Sequence, residues 1–361
     1  MKVAHICWSL NYGGIETMLV NIANAQAKLG ADIHVIIIND MYQEELMRRF
    51  DESINIHLIH RKYQSKGIGF IFKLNRTLIK LNPDAIHIHS SRIITFFWRK
   101  RLSHVASVTL HDLPTGSLRH GGLTGRLCPF LYKSGNVYHI DRIPRVFAIS
   151  ESVKDGLWQH YGIESKVVCN GIMTHNFKIR PERKPCSPYK IIMVSRLEHD
   201  KKGQDILIEA ASMLKGKVSV DFIGDGSSKQ FLEKLIAEKG LQEYIRLLGS
   251  KSQSYITEHL CDYDLFVQPS RWEGFGLTVA EAMASHLPVL VSVGQGPAEV
   301  TCGDRYGWIF ENGSASELAK QIDYIFAHYE EAMEKSDRAL LYVRDTYDVS
   351  VTARRYLEMY K

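Results

Sequence analysis

Residues 264–292 of this 361-residue chain read DLFVQPSRWEGFGLTVAEAMASHLPVLVS. The apolar opening, which ends near Pro269, predicts a buried strand. The next loop holds Glu273-Gly274-Phe275-Gly276, and the apolar spacing beyond it predicts a helix over about 277–285. Pro288 then opens a second apolar strand. A strand, a glycine loop, a helix and a further strand in one run indicate a parallel α/β sheet.

Two features of this segment suit a ligand that carries both phosphate and hydroxyl groups. Gly274 and Gly276 let a ligand approach the backbone, and the free N–H groups at the helix start favour an anion such as a diphosphate. Glu273 and Glu281 lie eight positions apart, so they can reach two parts of one elongated ligand. Because carboxylates accept hydrogen bonds from paired hydroxyls, a sugar ring and a ribose are natural targets. The alternative is two solvated glutamates on an ordinary loop and helix.

The same α/β rhythm extends over the whole chain. Predicted strands of the first half cover residues 2–7, 32–38, 85–89, 105–110 and 146–149. Those of the second half cover residues 190–194, 218–223, 245–248, 264–268 and 288–292. The polar, proline-bearing stretch 178–188 is interpreted as a linker. We therefore predict domains over 1–175 and 176–348 that face each other across a cleft, with a C-terminal helix over 349–361 that crosses back to the first.

Composition narrows the class of protein. No run of 18 apolar residues occurs, and the N-terminal sequence does not read as a signal peptide, so we predict a cytoplasmic protein. The six cysteines show no C-x-x-C pair, which favours reduced thiols over a disulfide framework or zinc site. Residues 1–175 hold 21 Lys and Arg against 13 Asp and Glu, whereas residues 176–361 hold 24 against 27. The first half is therefore the better candidate for an anionic partner, and no feature points to nucleic acid.

Two cations follow the first strand of the second half. Arg196 and Lys202 flank a short loop, so both side chains could reach a diphosphate. Two fixed cations and a helix start can stabilise the charge on a departing nucleotide without a metal. The alternative is two surface charges in a basic loop. Asp262-x-Asp264 has the form of a D-x-D metal motif, but it precedes an apolar strand instead of following one, so we consider it coincidental.

Taken together, these motifs resemble those of the retaining glycosyltransferases of family four. The segment 264–292 resembles the family signature, with Glu273 and Glu281 at its two glutamates. Four further stretches match in the family's order: 13–16 (GGIE), 170–172 (NGI), 195–203 (SRLEHDKKG) and 224–226 (GDG). The resemblance covers nearly the whole chain. It implies a GT-B fold of two Rossmann-like α/β domains, with the acceptor on the first domain and a nucleotide-sugar donor on the second.

The resemblance also implies roles for individual residues. The catalytic candidates are Glu273, which positions the transferred sugar or attacks it, and His111, which contacts a sugar hydroxyl or the acceptor. The donor-binding candidates are Gly13, Gly14, Arg196, Lys202, Gly274, Phe275, Gly276, Leu277, Thr278 and Glu281. UDP is the favoured nucleotide and GDP the second, with no cofactor or metal. Gly13 and Gly14 do not form a G-x-G-x-x-G fingerprint, which argues against a nicotinamide enzyme.

Histidines of the first half leave more alternatives. His111 ends the predicted strand 105–110 and could equally be structural. His87 and His89 are interpreted as strand-end residues that line the cleft, and their H-x-H spacing gives little support to a metal site.

The acceptor side is the least specific part of the sequence. Residues 67–81 interleave apolar and basic residues, and 96–101 (FFWRKR) set three aromatics beside three cations. Such surfaces suit anionic lipid headgroups, although an ordinary amphipathic helix is the alternative. The stretch 113–144 is interpreted as a mobile loop over the acceptor. We therefore expect a saccharide or lipid-linked saccharide acceptor of polysaccharide or lipopolysaccharide synthesis, and peripheral attachment to the inner face of the membrane.

Two other functions fit the same fold. A nucleotide-sugar 2-epimerase would convert its substrate without an acceptor. A non-catalytic partner would only bind the nucleotide sugar. The joint presence of Arg196, Lys202, Glu273 and Glu281 favours the transferase, since binding alone does not need all four.

Overall fold

The computed structural model describes residues 1–11, 13–98, 100–113, 140 and 143–361. These residues form two compact units. Unit 1 comprises Met1–Gly171 together with Val349–Lys361, and unit 2 comprises Ile172–Asp348. The boundary lies four residues before the predicted one, because the N–H of Ile172 already bonds to the carbonyl of Tyr347 in unit 2 (2.8 Å).

Unit 1 is built on a parallel sheet. Its strands are β1 Lys2–Cys7, β2 Asp32–Asn39, β3 Asn55–Arg61, β4 Ala85–Ile88, β5 Ala106–Leu110, β6 Arg145–Ala148 and β7 Lys166–Val167. They lie in the order β3-β2-β1-β4-β5-β6-β7. Strands β1, β4 and β5 are buried almost throughout, as expected where helices cover both faces of a parallel sheet.

The helices of unit 1 connect these strands. They are α1 Gly14–Lys28, α2 Glu44–Arg48, α3 Gly69–Leu81, α4 Lys100–His104 and α5 Glu151–Tyr161, with a 3₁₀ turn over Ser91–Phe96. Local chemistry fixes the ends of α5. The hydroxyl of Ser150 accepts a hydrogen bond from the N–H of Val153 (3.2 Å), and Gly162 at φ +63° ends the helix.

Unit 2 repeats the architecture. Its strands are β8 Tyr189–Val194, β9 Val218–Ile223, β10 Ile245–Leu247, β11 Leu265–Gln268, β12 Val289–Ser292 and β13 Trp308–Phe310, in the order β10-β9-β8-β11-β12-β13. Its helices are α6 His199–Lys202, α7 Gln204–Met213, α8 Lys229–Glu238, α9 Gln253–His259, α10 Leu277–Ala284, α11 Gly296–Val300, α12 Ala315–Ala327 and α13 Tyr329–Tyr347. Further 3₁₀ turns cover Thr174–Asn176 and Leu260–Asp262.

Both sheets therefore have the strand order of a doubly wound nucleotide-binding fold, which confirms the predicted pair of Rossmann-like α/β domains. Strands β3, β7 and β13 were not predicted. All three are edge strands, and β7 and β13 have only two and three residues, so their sequences carry little periodic signal.

The last helix, α14 Val349–Met359, belongs to unit 1. Its Tyr356 is buried, and the ring meets that of Phe147 at 5.2 Å between centroids. The hydroxyl of Tyr356 also hydrogen-bonds to that of Thr109 (2.9 Å). A tail that follows unit 2 in sequence is thus an integral part of the unit 1 core.

The predicted linker 178–188 lies inside unit 2. Arg180 is buried, and its guanidinium pairs with the equally buried Asp264 (3.1 Å) and bonds to the carbonyl of Tyr263 (3.0 Å). Arg183 reaches the same carboxylate at 3.0 Å. The polar, proline-bearing composition of residues 178–188 is similar to that of a linker. Arg180 and Arg183, however, bind this segment to the amino end of β11.

Five of the six cysteines lie in the described part of the chain and are free thiols, whereas Cys128 lies outside it. Among the described residues, we find no helix with the length and apolar character needed to cross a membrane.

We expect Arg180→Met to lower the free energy of unfolding of unit 2 by about 3–5 kcal/mol, because it leaves a buried carboxylate without its enclosed partner. Arg183→Met is the matched control. Its side chain is one-third exposed, so the loss should stay below about 1 kcal/mol. Urea denaturation followed by tryptophan fluorescence measures both, and equal losses would show that Arg180 has no special role.

Candidate functional site

The carboxyl ends of β8 and β11 form the switch point of the unit 2 sheet. The chain leaves β8 toward β9 and leaves β11 toward β12, so the loops diverge and leave room for a ligand. Lys202 and Glu273 come from these two loops, and their side chains form an ion pair. The pair is mostly enclosed, with 10% of the Lys202 side chain and 23% of the Glu273 side chain exposed. Two residues predicted separately from sequence therefore meet in one place.

Gly203 sets the position of Lys202. It follows α6 at φ +72°, a conformation that favours glycine. A Cβ atom on Gly203 would lie 2.0 Å from the carbonyl oxygen of Pro269. A larger residue would force the two loops apart and move Lys202 away from Glu273.

A second pair of charges fastens the same loops together. Arg271 donates two hydrogen bonds to Asp205 (2.8 and 2.7 Å) and a third to the carbonyl of His199 (2.9 Å). The backbone N–H groups of Arg271 and Trp272 donate to the carbonyl of Lys201 at 2.9 and 3.2 Å. A planar guanidinium suits this bidentate arrangement. Sequence analysis missed Arg271 and Asp205, because 66 positions separate them and neither belongs to a recognisable motif.

The backbone around Glu273 is fixed on both sides. The carbonyl of Glu273 accepts a hydrogen bond from the N–H of Gly296 (3.0 Å), and its N–H donates to Oε1 of Gln295 (3.3 Å). A Cβ atom on Gly296 would lie 2.4 Å from the carbonyl oxygen of Gly274. The loop is thus held by contacts of its backbone. The Glu273 side chain takes no part in them and pairs with Lys202.

Phe275 and Gly276 immediately precede α10. Gly276 adopts φ +96°, and a Cβ atom there would lie 3.1 Å from Pro297. Phe275 is 3% exposed and packs edge-on against Tyr347, with ring centroids 5.4 Å apart. Its side chain lies in the core of unit 2, so only its backbone is left for the predicted donor-binding role.

Leu277 and Thr278 form the first turn of α10. Within the described residues, no side chain caps this helix start. The Thr278 hydroxyl donates instead to Oε1 of Gln268 (3.4 Å). The first N–H groups of α10 therefore remain as donors, as required for a helix start that binds an anion.

Arg196 lies apart from the Lys202–Glu273 pair. Its side chain is largely exposed and pairs with Glu198 (3.0 Å). Its backbone is well anchored, because buried Gln204 donates to the carbonyl of Arg196 (2.8 Å) and to the hydroxyl of Ser195 (3.0 Å). The structure thus places one predicted cation in the switch-point pair, whereas the other extends from an anchored backbone and pairs with Glu198.

Residues 224–226 pack against the backbone of the loop that carries Arg196. A Cβ atom on Gly224, at φ +140°, would lie 1.9 Å from the carbonyl oxygen of Ser195. A Cβ atom on Gly226 would lie 2.5 Å from the carbonyl oxygen of Leu197. The two glycines are therefore explained by close packing of backbone on backbone.

Glu281 lies on α10, half-buried. Its Oε1 accepts a hydrogen bond of 2.9 Å from Nε2 of Gln253. It forms no ion pair within the described part of the chain. Burial raises the pKa of Glu281 to about 7, against a smaller opposite effect of the Gln253 hydrogen bond. A carboxyl group whose pKa is near 7, and which pairs with no cation of the described residues, is typical of a functional position. Hydroxyl groups of a ligand would supply the missing hydrogen-bond donors.

In unit 1, Gly13 precedes α1 and Gly14 is the first residue of that helix, and both are exposed. Gly13 is extended at φ −174°, so its backbone does not require glycine. A Cβ atom there would instead meet the Glu16 carboxylate at 2.4 Å. Burial raises the pKa of Glu16 above its usual range.

His111 follows β5 and belongs to a row of four stacked imidazoles, which we call the histidine row: His5, His87, His89 and His111. Ring centroids are 5.3 Å apart for His5 and His87, 4.7 Å for His87 and His89, and 5.8 Å for His89 and His111. Burial lowers the pKa of His5 and His111 to about 4, and it lowers the pKa of His87 and His89 well below the usual range. At neutral pH, His111 is therefore an uncharged hydrogen-bonding group.

The prediction that His87 lines a surface is wrong. His87 is 1% exposed, its Nε2 bonds to Thr109 (2.9 Å), and its Nδ1 bonds to the hydroxyl of Tyr360. The tail of the chain, which the local sequence around His87 does not reveal, covers this ring. Only His89 and His111 remain near the carboxyl ends of their strands, where Nδ1 of His89 lies 3.5 Å from Nε2 of His111.

The predicted basic aromatic surface is partly formed. Phe72 on α3 is 60% exposed and Trp98 is 51% exposed, and their rings meet edge to face at 4.7 Å. Phe96, in contrast, turns inward to Trp8 (5.9 Å). Arg99 and most of the predicted acceptor loop, residues 114–139 and 141–142, lie outside the described residues.

Among the residues that the structure describes, no cluster of three or more histidine, cysteine and acidic side chains is arranged to hold a metal ion. Asp264 of the D-x-D sequence is engaged by Arg180 and Arg183 at the amino end of β11.

Two family models match successive parts of the chain. A family model described as Glycosyltransferase Family 4 matches residues 12–176, and one described as Glycosyl transferases group 1 matches residues 175–339. The amylovoran biosynthesis glycosyltransferase AmsK of Erwinia amylovora is 32% identical over 199 residues, which are 50% of this chain and 49% of AmsK. The chain thus spans about half the length of this relative.

Two further proteins align over most of their length. The uncharacterized glycosyltransferase MJ1178 of Methanocaldococcus jannaschii is 24% identical over 87% of this chain and 86% of that protein. The crystal structure of HepE from Anabaena, in complex with UDP and glucose, superimposes with a TM-score of 0.78 at 21% identity and covers 99% of both chains. This likeness confirms the predicted GT-B fold.

The histidine row should make unit 1 sensitive to acid. Its histidines have a lower pKa in the folded state than the value of about 6.5 in the unfolded chain. The unfolded state therefore takes up more protons as the pH falls from about 6.5 toward 4, and the free energy of unfolding decreases over that window. We expect a loss of about 2 kcal/mol for each of His5 and His111 between pH 7 and pH 5.

Thermal unfolding followed by circular dichroism at several pH values measures this loss. His5→Gln retains a hydrogen-bonding side chain next to Gln26 but cannot titrate, so it should flatten the pH dependence. His328→Gln, on unit 2, is the control and should leave the dependence unchanged. An unaltered slope in His5→Gln would contradict the interpretation.

Proposed function

We propose that this chain, which belongs to glycosyltransferase family four, transfers a sugar from a nucleoside diphosphate sugar to a saccharide or lipid-linked saccharide acceptor. The transfer is a step in the synthesis of a cell-surface polysaccharide. The single observation that carries the proposal is the Lys202–Glu273 pair, whose glutamate lies in the loop before α10, a helix that no side chain of the described residues caps. It combines a cation, helix N–H donors and a carboxylate at the switch point of one sheet. AmsK, a relative named for amylovoran biosynthesis, supports the polysaccharide context.

In the proposed donor site, each protein group binds a different part of the nucleotide sugar. Lys202 and the first N–H groups of α10 bind the diphosphate, and Arg196 moves from Glu198 to join them. Glu273 accepts hydrogen bonds from hydroxyls of the sugar, and Glu281 accepts those of the ribose. UDP is the favoured nucleotide, in line with the UDP found in HepE, and GDP is the second choice.

The proposed reaction replaces one bond of the sugar's anomeric carbon by another. The bond between the sugar's anomeric carbon and the diphosphate oxygen breaks, and the acceptor oxygen bonds to the same carbon. The acceptor proton passes to the departing diphosphate, which leaves as the nucleoside diphosphate. Lys202 and the start of α10 stabilise the charge that develops on it, so no metal is required. Attack from the face of departure retains the anomeric configuration.

Glu273 acts in this scheme by positioning the sugar. Its carboxylate already forms an ion pair with Lys202, which orients it and reduces its strength as a nucleophile. The fixed backbone on both sides of Glu273 also opposes the movement that a covalent intermediate would require.

Acceptor binding is the task of unit 1. The excess of basic residues in the first half of the chain suits a phosphate-bearing carrier. Neutral His111 donates or accepts one hydrogen bond to a hydroxyl of the reacting sugars. The exposed aromatic pair of Phe72 and Trp98 beside cations of α3 attaches the protein to the inner face of an anionic membrane.

Glu273→Gln should lower turnover by about 100- to 1000-fold, because a preorganised polar contact in the transition state is lost. UDP affinity should change by less than about threefold, since the phosphate contacts remain. Donor candidates are first ranked by thermal shift, and release of the nucleoside diphosphate is then measured with membrane extract as acceptor.

Glu330→Gln, an exposed glutamate on α13, serves as the control and should retain full turnover. Unchanged turnover of Glu273→Gln would contradict the proposed role of Glu273, and UDP binding without turnover in either protein would favour a non-catalytic partner. Conversion of the donor sugar without any acceptor would favour the epimerase.

Membrane attachment is tested with the double variant Phe72→Ser and Trp98→Ser. Loss of two inserted aromatic side chains should weaken binding to phosphatidylglycerol vesicles at least about tenfold in a sedimentation assay. Trp158→Ser removes an equally exposed aromatic side chain of unit 1 away from α3 and should have little effect. The proposed attachment is rejected if the unmodified protein ignores these vesicles in low salt.

A further inference from the structure

Gln253 is the first residue of α9, and its side chain is directed at another helix. Ser252 caps α9 by accepting a hydrogen bond from the N–H of Tyr255 (3.2 Å). Nε2 of Gln253 donates to Oε1 of Glu281 on α10 at 2.9 Å, across 28 positions of sequence. The cap thus fixes the helix that carries Gln253, and Gln253 in turn fixes one oxygen of Glu281.

Within the described part of the chain, this is the one hydrogen bond of the Glu281 carboxylate. It occupies Oε1 from the α9 side, so Oε2 and the remaining lone pair of Oε1 stay available for other donors. A vicinal diol supplies two O–H donors at the spacing of one carboxylate. The contact therefore prepares Glu281 for a pair of hydroxyls without blocking them.

We propose that Gln253 is a positioning residue of the donor site, whose amide holds Glu281 as an oriented carboxylate ready to accept both hydroxyls of the ribose. The inference rests on the proposed function, because it takes the nucleoside diphosphate as the ligand. Gln253 acts through Glu281 and needs no contact with the nucleotide itself.

The chemistry of Glu281 makes this role measurable. Burial raises the pKa of Glu281 to about 7, and the Gln253 hydrogen bond opposes that rise. A protonated Glu281 would use one oxygen as a donor and could no longer accept from both hydroxyls. Ligand affinity should therefore fall as the pH drops through 7, and removal of the Gln253 amide should move that fall to higher pH.

Other titratable groups surround α10 and must be considered. His286 follows the helix and pairs with Asp337 (2.7 Å). The elements packed against α10 carry these ionisable residues: His175, Glu299 and, on α13, Tyr329, Glu330, Glu331, Glu334, Lys335, Asp337, Arg338, Tyr342, Arg344, Asp345 and Tyr347. Burial and the Gln253 hydrogen bond are the causes of the shifted pKa of Glu281. A pH dependence centred near 7 that disappears in Glu281→Gln is thus assigned to Glu281.

The first experiment measures UDP binding by titration calorimetry between pH 6 and 8.5. If Gln253→Leu raises the pKa of Glu281 by about one unit, UDP should bind about fivefold more weakly at pH 7 but less than about 1.5-fold more weakly at pH 8.5. Gln253→Lys offers a charged donor, so it should keep the affinity high below pH 7. An equal loss at both pH values, or no loss at either, would overturn the proposal.

The second experiment separates this inference from the proposed function. The pKa of the Glu281 carboxyl is measured by ¹³C NMR on the full chain without ligand, in the natural protein and in Gln253→Leu. An unchanged pKa overturns the role of Gln253 whatever the protein binds. If the pKa changes but neither UDP nor GDP binds at any pH, the proposed donor site is wrong. The assignment of Glu281 to the ribose is then wrong as well.

The diol requirement is tested with 2′,3′-dideoxyuridine diphosphate. UDP binding at pH 7 should release protons, seen as a heat that depends on the ionisation enthalpy of the buffer, because the diol selects the carboxylate. The dideoxy compound should bind without this release. Equal proton release by both compounds would contradict the assignment of Glu281 to the ribose.

Discussion

The Lys202–Glu273 ion pair depends on two loops that leave neighbouring strands in opposite directions. Such loops would drift apart without further contacts, and an enclosed pair is stable only when its geometry is kept. Gly203 allows the loops to touch, while Arg271 and Asp205 lock them together. The charges at the switch point are thus supported by a second pair that has no part in the proposed chemistry.

Two carboxylates of unit 2 have opposite surroundings. Asp264 receives two guanidinium groups, so its charge is fully compensated and serves to hold residues 178–188 on the sheet. Glu281 receives only the amide of Gln253 within the described residues, and its pKa rises to about 7. Incomplete compensation costs stability, which is the usual consequence of a site prepared for a ligand. Under the proposed function, Asp264 is the structural acid and Glu281 the ligand-binding one.

The mainly apolar core of unit 1 contains a row of uncharged polar side chains. The histidine row runs through the sheet from His5 to His111, and hydroxyl and amide groups satisfy part of its hydrogen-bonding capacity: Gln26 bonds to His5 at 2.8 Å, and Thr109 to His87 at 2.9 Å. Because the C-terminal segment of the chain closes this core, His87 is buried by residues more than 200 positions away. Its electrostatic character is therefore a property of the complete unit.

The amino-acid sequence alone determined the two α/β units, most strands, the glycine loop at 273–276 and the family, because these depend on periodicity and on residues close together in the chain. It also identified Lys202, Glu273 and Glu281 one by one. Only the tertiary structure decided that Lys202 meets Glu273, that Gln253 holds Glu281, that Phe275 faces the core and that Arg180 is buried. Each of these facts joins segments far apart in sequence, and no local pattern records which distant side chain will remove water from a given group or offer it a hydrogen bond.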